Sequence, residues 1–196
     1  MTEIKDSRHT DAVLAALGEQ LASLGERYEL VVVGGSGLLA LGEIERSTRD
    51  VDLVALRSGE ELDGAEPLPE PLNRAAQRVA RDFDLDEGWL NGGPTDLLDF
   101  GLPEGFIERL ERRDYGGSLV VYLASRYDQI HFKLYAMVDA GGPGKHEQDL
   151  RALRPSEEEL LEAARWSRGH DPSAGYRESL VRALEHLGVT DADLGA

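Results

Sequence analysis

Two short runs carry residue types suited to chemistry on phosphate. The first is Val31-Val32-Val33-Gly34-Gly35-Ser36-Gly37-Leu38-Leu39-Ala40, and the second is Arg46-Ser47-Thr48-Arg49-Asp50-Val51-Asp52-Leu53-Val54. A helix that opens on Gly-Gly-Ser leaves backbone N–H groups without intrahelical partners, and such groups attract phosphate. Glycine suits the position because a side chain would hold a phosphate away from the backbone. In a strand, residues i and i+2 face the same side, so Asp50 and Asp52 project together while Val51, Leu53 and Leu56 serve the core. Paired carboxylates repel each other unless a cation lies between them, and hard oxygen ligands suit Mg²⁺ shared with substrate phosphates. Gly34, Gly35 and Ser36 thus form a candidate phosphate cradle, and Asp50 and Asp52 a candidate metal pair fifteen residues on from Gly35. The glycine run matches neither the P-loop nor the dinucleotide fingerprint. Each run alone reads as a turn or a solvated strand face; their order and spacing make a site.

The elements that must hold these residues follow from periodicity. A buried strand over Glu29–Val33 feeds the glycine turn, and Leu38, Leu39 and Leu41 suit a short helix packed on it. A helix over 10–24 sets Val13, Leu14, Leu17, Leu21 and Leu24 on one face, with Thr10 as N-cap and Gly25 as C-cap. Residues 57–70 read as an acidic loop or, at their proline-bearing end, as a proline-marked entry to the next helix, and Asn73–Asp84 as a helix. Trp89 can bury its ring, and Asn91 can hold the following turn through its side chain. From 95 to 113 the pattern is mixed, with helical stretches around Leu97 and Ile107. Gly117–Leu123 is a strand without a carboxylate. A helix from Ser125 to about Val138 carries Lys133 amid apolar residues. Gly141–Gly144 breaks the chain, and helices follow over Ser156–Gly169 and Gly175–Gly188. The pattern predicts an α/β (α+β) fold in which a small mixed sheet is flanked by helices. It divides into a core over 1–124 and a helical C-terminal region over 125–196.

With 38 acidic against 21 basic residues, the net charge of −17 argues against general nucleic-acid binding and leaves room only for a local basic patch. The absence of cysteine excludes a disulfide framework and Cys-ligated zinc. No apolar run reaches membrane-spanning length, and the N-terminus does not read as a signal peptide, so cytoplasm is the expected compartment.

Gly-Gly-Ser, a short helix and then Arg-x-Thr-x-Asp-hydrophobic-Asp resembles the DNA polymerase β-like nucleotidyltransferase superfamily. Within it, the Arg46–Asp52 run is most similar to the AbiEii/MenT group of toxin nucleotidyltransferases. Lys133-Leu134-x-Ala136 resembles the group's lysine-bearing helix, and Lys145-His146-Glu147-Gln148-Asp149-Leu150-x-x-Leu153 resembles its Lys-Asp-x-x-Asp-Leu-x-x-Leu segment. His146 replaces the first acid of that segment. The resemblance implies Mg²⁺-dependent transfer of a nucleoside monophosphate from an NTP, with Asp50 and Asp52 on the metal. Gly34, Gly35, Ser36, Arg46, Thr48 and Lys133 would serve the nucleotide. Many members place a third acid on a later strand; here Asp149 either takes that part or merely pairs with Lys133 or caps its helix. The resemblance further implies a tRNA 3′ end as acceptor and a cognate antitoxin protein as partner. Arg109, Arg112, Arg113 and Arg126 are the candidate basic rim for the RNA backbone. Two alternatives stand beside it: a nucleotide-binding module without catalysis, and transfer to a protein or small molecule, which the acidic surface would suit better.

Overall fold

The valine run behaves as its composition dictates. In the computed structural model, which describes residues 2–190 and 194, strand β1 (Tyr28–Val33) is buried from Leu30 onward. The chain divides into two compact units, Met1–Ser125 and Arg126–Ala196.

The first unit is a mixed sheet with helices. Helix α1 (Ser7–Leu24) precedes β1, and helix α2 (Gly34–Leu41) follows it without an intervening loop. Strand β2 (Val51–Ser58) returns antiparallel to β1, then turns into the short β3 (Glu61–Asp63). Helix α3 (Glu70–Phe83) leads to the two-residue β4 (Leu90–Asn91), which pairs parallel with the start of β2. A short helix α4 (Leu97–Phe100) and a 3-10 turn at Ile107–Arg109 precede β5 (Glu111–Tyr115) and β6 (Leu119–Leu123). The sheet order is β3-β2-β1-β6-β5, with β4 paired to β2. Strand β6 runs parallel to β1, so the two most apolar strands lie side by side at the centre.

Four sequence expectations are corrected. Helix α1 begins at Ser7, and Asp6 is its N-cap, accepting from His9 N–H at 2.8 Å; Thr10 is buried inside the first turns. Residues 57–70 are not a loop throughout, because β2 runs to Ser58 and β3 closes a hairpin on it. Helix α3 starts at Glu70, earlier than Asn73, because proline is tolerated in a first helical turn. Strand β5 was not anticipated, since its Glu-Arg-Arg-Asp-Tyr run alternates nothing apolar and pairs only as an edge strand.

The second unit is helical: α5 (Arg126–Asp139), α6 (Lys145–Leu153), α7 (Glu157–His170) and α8 (Ala174–Leu187). Ser156 and Glu159 form the reciprocal capping box that opens α7. The Trp166 ring is packed among His131, Phe132, Tyr135 and His170, which joins α5 to α7. No helix among the described residues is long and apolar enough to cross a membrane.

Candidate active site

The end of β1 and the start of β2 meet at one pair of residues. Val33, the last residue of β1, stands opposite Asp52 in the antiparallel register. The chain then turns at Gly34 with φ +76°, and a Cβ there would lie 2.6 Å from Asp52 Oδ2. Only glycine lets the carboxylate approach the backbone this closely. A Cβ on Gly35 would meet Thr48 Oγ1 at 3.0 Å and Arg46 Nη2 at 3.4 Å. The glycine turn and the Arg46–Asp52 run are therefore in contact, residue by residue.

The approach segment is pinned from outside the sheet. Ile4 and Thr48 exchange backbone hydrogen bonds of 2.8 and 2.9 Å, and Ser47 and Arg49 donate to the Glu3 carboxylate. Those donors hold the Glu3 carboxyl below its ordinary range. Thr48, 7% exposed, donates from Oγ1 to Asp50 Oδ1 at 3.0 Å. Asp50 lies one residue before β2, and Asp52 lies within it. Asn91 Nδ2 donates to Asp52 Oδ1 at 3.2 Å. Each carboxylate is thus oriented by a neutral donor that leaves its charge in place. Beside Asp50 opens a cleft of about 430 Å³ lined also by Thr2, Glu3, Arg49, Asp86 and Gly88.

These residues fit a hard divalent cation with phosphate. Asp50 and Asp52 are half-buried oxygen donors. The cradle glycines have no room for a Cβ. Ser36 is 1% exposed, and its Oγ has no hydrogen-bond partner, an arrangement a phosphate oxygen would relieve. Among the described residues no three His, Cys, Asp or Glu side chains cluster as a metal site, so the acidic set here is a pair.

Gly34, Gly35, Ser36, Arg46, Thr48, Asp50 and Asp52 all belong to the first unit. Lys133 and Asp149 belong to the second and meet each other, Nζ to Oδ2 at 2.7 Å, with side chains only 6% and 1% exposed. Lys133 is buried and salt-bridged. The rim arginines carry acidic partners of their own. Arg112 pairs with Asp114, Arg113 with Glu111 at 2.9 Å, and Arg126 with Glu159 at 2.6 Å. The structure brings together the glycine turn and the Arg46–Asp52 run that the sequence singles out, and adds Asn91, to which the sequence assigns a turn. Its position at the end of a Trp-Leu run was the available signal; a two-residue strand is too short for periodicity to announce it.

The fold resembles the crystal structure of an antigenic nucleotidyltransferase-like protein from Paracoccidioides brasiliensis, at 16% identity and a TM-score of 0.46, covering 93% of this chain and 95% of that one. Among curated proteins none matches the chain. A family model described as a nucleotidyltransferase of unknown function, DUF6036, matches residues 12–152, and the chain belongs to that family.

Proposed function

We propose that this member of a nucleotidyltransferase family moves a nucleoside monophosphate from an NTP to an acceptor hydroxyl, with Mg²⁺ held by Asp50 and Asp52. The observation that carries the reading is the contact between Gly34 and Asp52, which puts a phosphate cradle against a carboxylate pair. The backbone N–H groups of Gly35 and Ser36 and the Ser36 hydroxyl would bind the terminal phosphates. Arg46, whose guanidinium lies over Gly35, would neutralise them. Thr48 and Asn91 keep the two carboxylates turned as the chemistry needs them. The bound cation would neutralise charge on the reacting phosphate and lower the barrier to attack. The acceptor oxygen would bond to the α-phosphorus as the bond to pyrophosphate breaks, its proton passing to one of the paired carboxylates and from there to water, and such a displacement asks the protein mainly for positioning and charge stabilisation.

The finer reading makes the acceptor a tRNA 3′ end and the protein the toxin of a toxin–antitoxin pair; its support is the Arg46–Asp52 run. One observation favours a second reading, a nucleotide-binding module without transfer: the carboxylates form a pair and no triad among the described residues. A single experiment separates these readings. The protein is incubated with Mg²⁺, each labelled NTP, and either total tRNA or cell protein. Label in tRNA that Asp50→Ala and Asp52→Ala both abolish supports transfer to tRNA. Label in protein alone removes the tRNA acceptor. Stabilisation by NTP with Mg²⁺ but no label in any fraction favours the binding module, and label unchanged in both variants removes the carboxylates from the site.

A further inference from the structure

The run Trp89-Leu90-Asn91-Gly92-Gly93-Pro94-Thr95 is held far more tightly than a connecting turn needs. Val51 N–H donates to Trp89 O at 2.5 Å, and Trp89 Nε1 donates to Ala76 O at 2.9 Å. Leu90 and Asn91 stand in register with Val51 and Asp52. A Cβ on Gly92 would lie 2.6 Å from the Ala65 carbonyl. Thr95 Oγ1 accepts from Ala65 N–H at 2.7 Å and donates to Val54 O at 3.1 Å. The run is therefore fastened to β2 itself, at Val51 and Val54, and to Ala65 just beyond β3.

What this fastening delivers is the Asn91 amide. Its Oδ1 accepts from Gly93 N–H at 2.9 Å, which fixes the turn, and its Nδ2 donates to Asp52 Oδ1 at 3.2 Å. Both ends of the amide are used, so the side chain cannot rotate without losing one bond. The residue comes from a strand next to β2, at the height of Asp52, where a carboxylate would complete a triad. It is neutral instead.

We propose that Asn91 is the third member of the Asp50–Asp52 site. It is a positioning residue that sets the Asp52 carboxylate from the neighbouring strand. Being neutral, it keeps the site at two negative charges, so a divalent cation is held firmly only when nucleotide phosphates complete its shell. This rests on the carboxylate pair being a metal site, as proposed above.

The test is thermal unfolding of the full chain during titration with Mn²⁺, alone and with a non-hydrolysable NTP analogue. Asn91→Asp keeps an oxygen for the Gly93 N–H and so keeps the turn, while it replaces the donor to Asp52 with a third carboxylate. Like charges that close repel without metal. Its metal-free melting temperature should fall below that of the wild type, and Mn²⁺ alone should raise it further and at a roughly ten-fold lower concentration. Asn91→Ala should need several-fold more Mn²⁺ than the wild type when nucleotide is present. If Asn91→Asp matches the wild type both without metal and in its Mn²⁺ response, Asn91 is a turn residue and the inference is overturned. If Asn91→Ala matches the wild type with nucleotide, the positioning role is overturned. Asp52→Asn in the same titration keeps the two ideas apart. A wild-type response that Asp52→Asn retains removes the metal reading itself, whereas one that it abolishes leaves that reading standing whatever Asn91 does.

Discussion

Gly34→Ala isolates the contact on which the site depends, because the fold supplies its own control. Gly34 and Gly42 both have φ +76°, yet a Cβ on Gly42 would have nothing within 4 Å, whereas one on Gly34 would lie 2.6 Å from Asp52 Oδ2. Forcing alanine into the left-handed region costs about 1–2 kcal/mol at either position. For a chain of this size that lowers the melting temperature by roughly 2–8 °C. Gly42→Ala should show that loss and nothing more. In Gly34→Ala the Asp52 carboxylate must also retreat by about 0.8 Å, from 2.6 Å to the 3.4 Å at which ordinary van der Waals contact begins. Misplacement of a reacting group on the ångström scale can cost about 100-fold in rate. Labelled-NTP transfer in Gly34→Ala should therefore fall by that order, and its stabilisation by Mn²⁺ with nucleotide should weaken, while Gly42→Ala keeps both. Equal transfer by the two variants would refute the reasoning, since the backbone strain is common to them and only Gly34 faces Asp52 and the proposed phosphate cradle.

The second unit offers two further tests. Lys133→Met leaves the buried Asp149 carboxylate facing an apolar side chain, and breaking a buried pair on one side costs on the order of 3–5 kcal/mol; chemical denaturation should show that loss, and replacing Asp149 with leucine as well should recover most of it. A Lys133→Met protein within about 0.5 kcal/mol of the wild type would mean that the pair is not a stabilising contact. Hydrogen bonds from Arg126 hold the Glu159 carboxyl below its ordinary 4.5, against a smaller opposing effect of burial. A depressed folded-state value stabilises above the unfolded value and is lost as pH falls through the folded one. The melting-temperature gap between the wild type and Arg126→Gln should therefore be widest near neutral pH and narrow as the pH drops below 4.5; a gap that stays constant into acid would break the linkage.

The long apolar elements were legible because burial writes its period into the sequence. Leu30–Val33 and Leu119–Leu123 are buried strands, and α1 shows its heptad-like face. The short polar strands were not. Strand β3 has three residues and β4 two, and β5 is an edge strand whose arginines pair with acids on the same strand. These strands owe their conformation to the neighbour they pair with, so no window of local sequence contains the cause. Cap identity failed for a related reason. Both Asp6 and Thr10 can cap a helix, and what decides between them is that Thr10 is wanted in the core.

The site divides along the same line. Gly34, Gly35, Asp50 and Asp52 announce themselves because spacing alone forces the geometry: a turn that opens a helix, and two residues on one strand face. Asn91 is separated from Asp52 by 39 positions, and only the parallel register of β4 on β2 brings its amide within 3.2 Å. Lys133 and Asp149 announce a lysine and an acid but not their meeting, which follows from the packing of α5 on α6. The acidic total has a similar explanation. The four arginines of the candidate basic rim include Arg112, Arg113 and Arg126, each answered by a carboxylate within its own unit. A surface ion pair of this kind is worth little and opens readily, so it does not forbid a phosphate. It does mean that an incoming polyanion must displace a carboxylate at each arginine before gaining a contact. With 38 acidic against 21 basic residues, carboxylates outnumber the cations that could pair with them, so an acceptor that carries its own positive charge can meet acids without displacing an arginine, which is why the protein and tRNA arms of the transfer assay belong side by side.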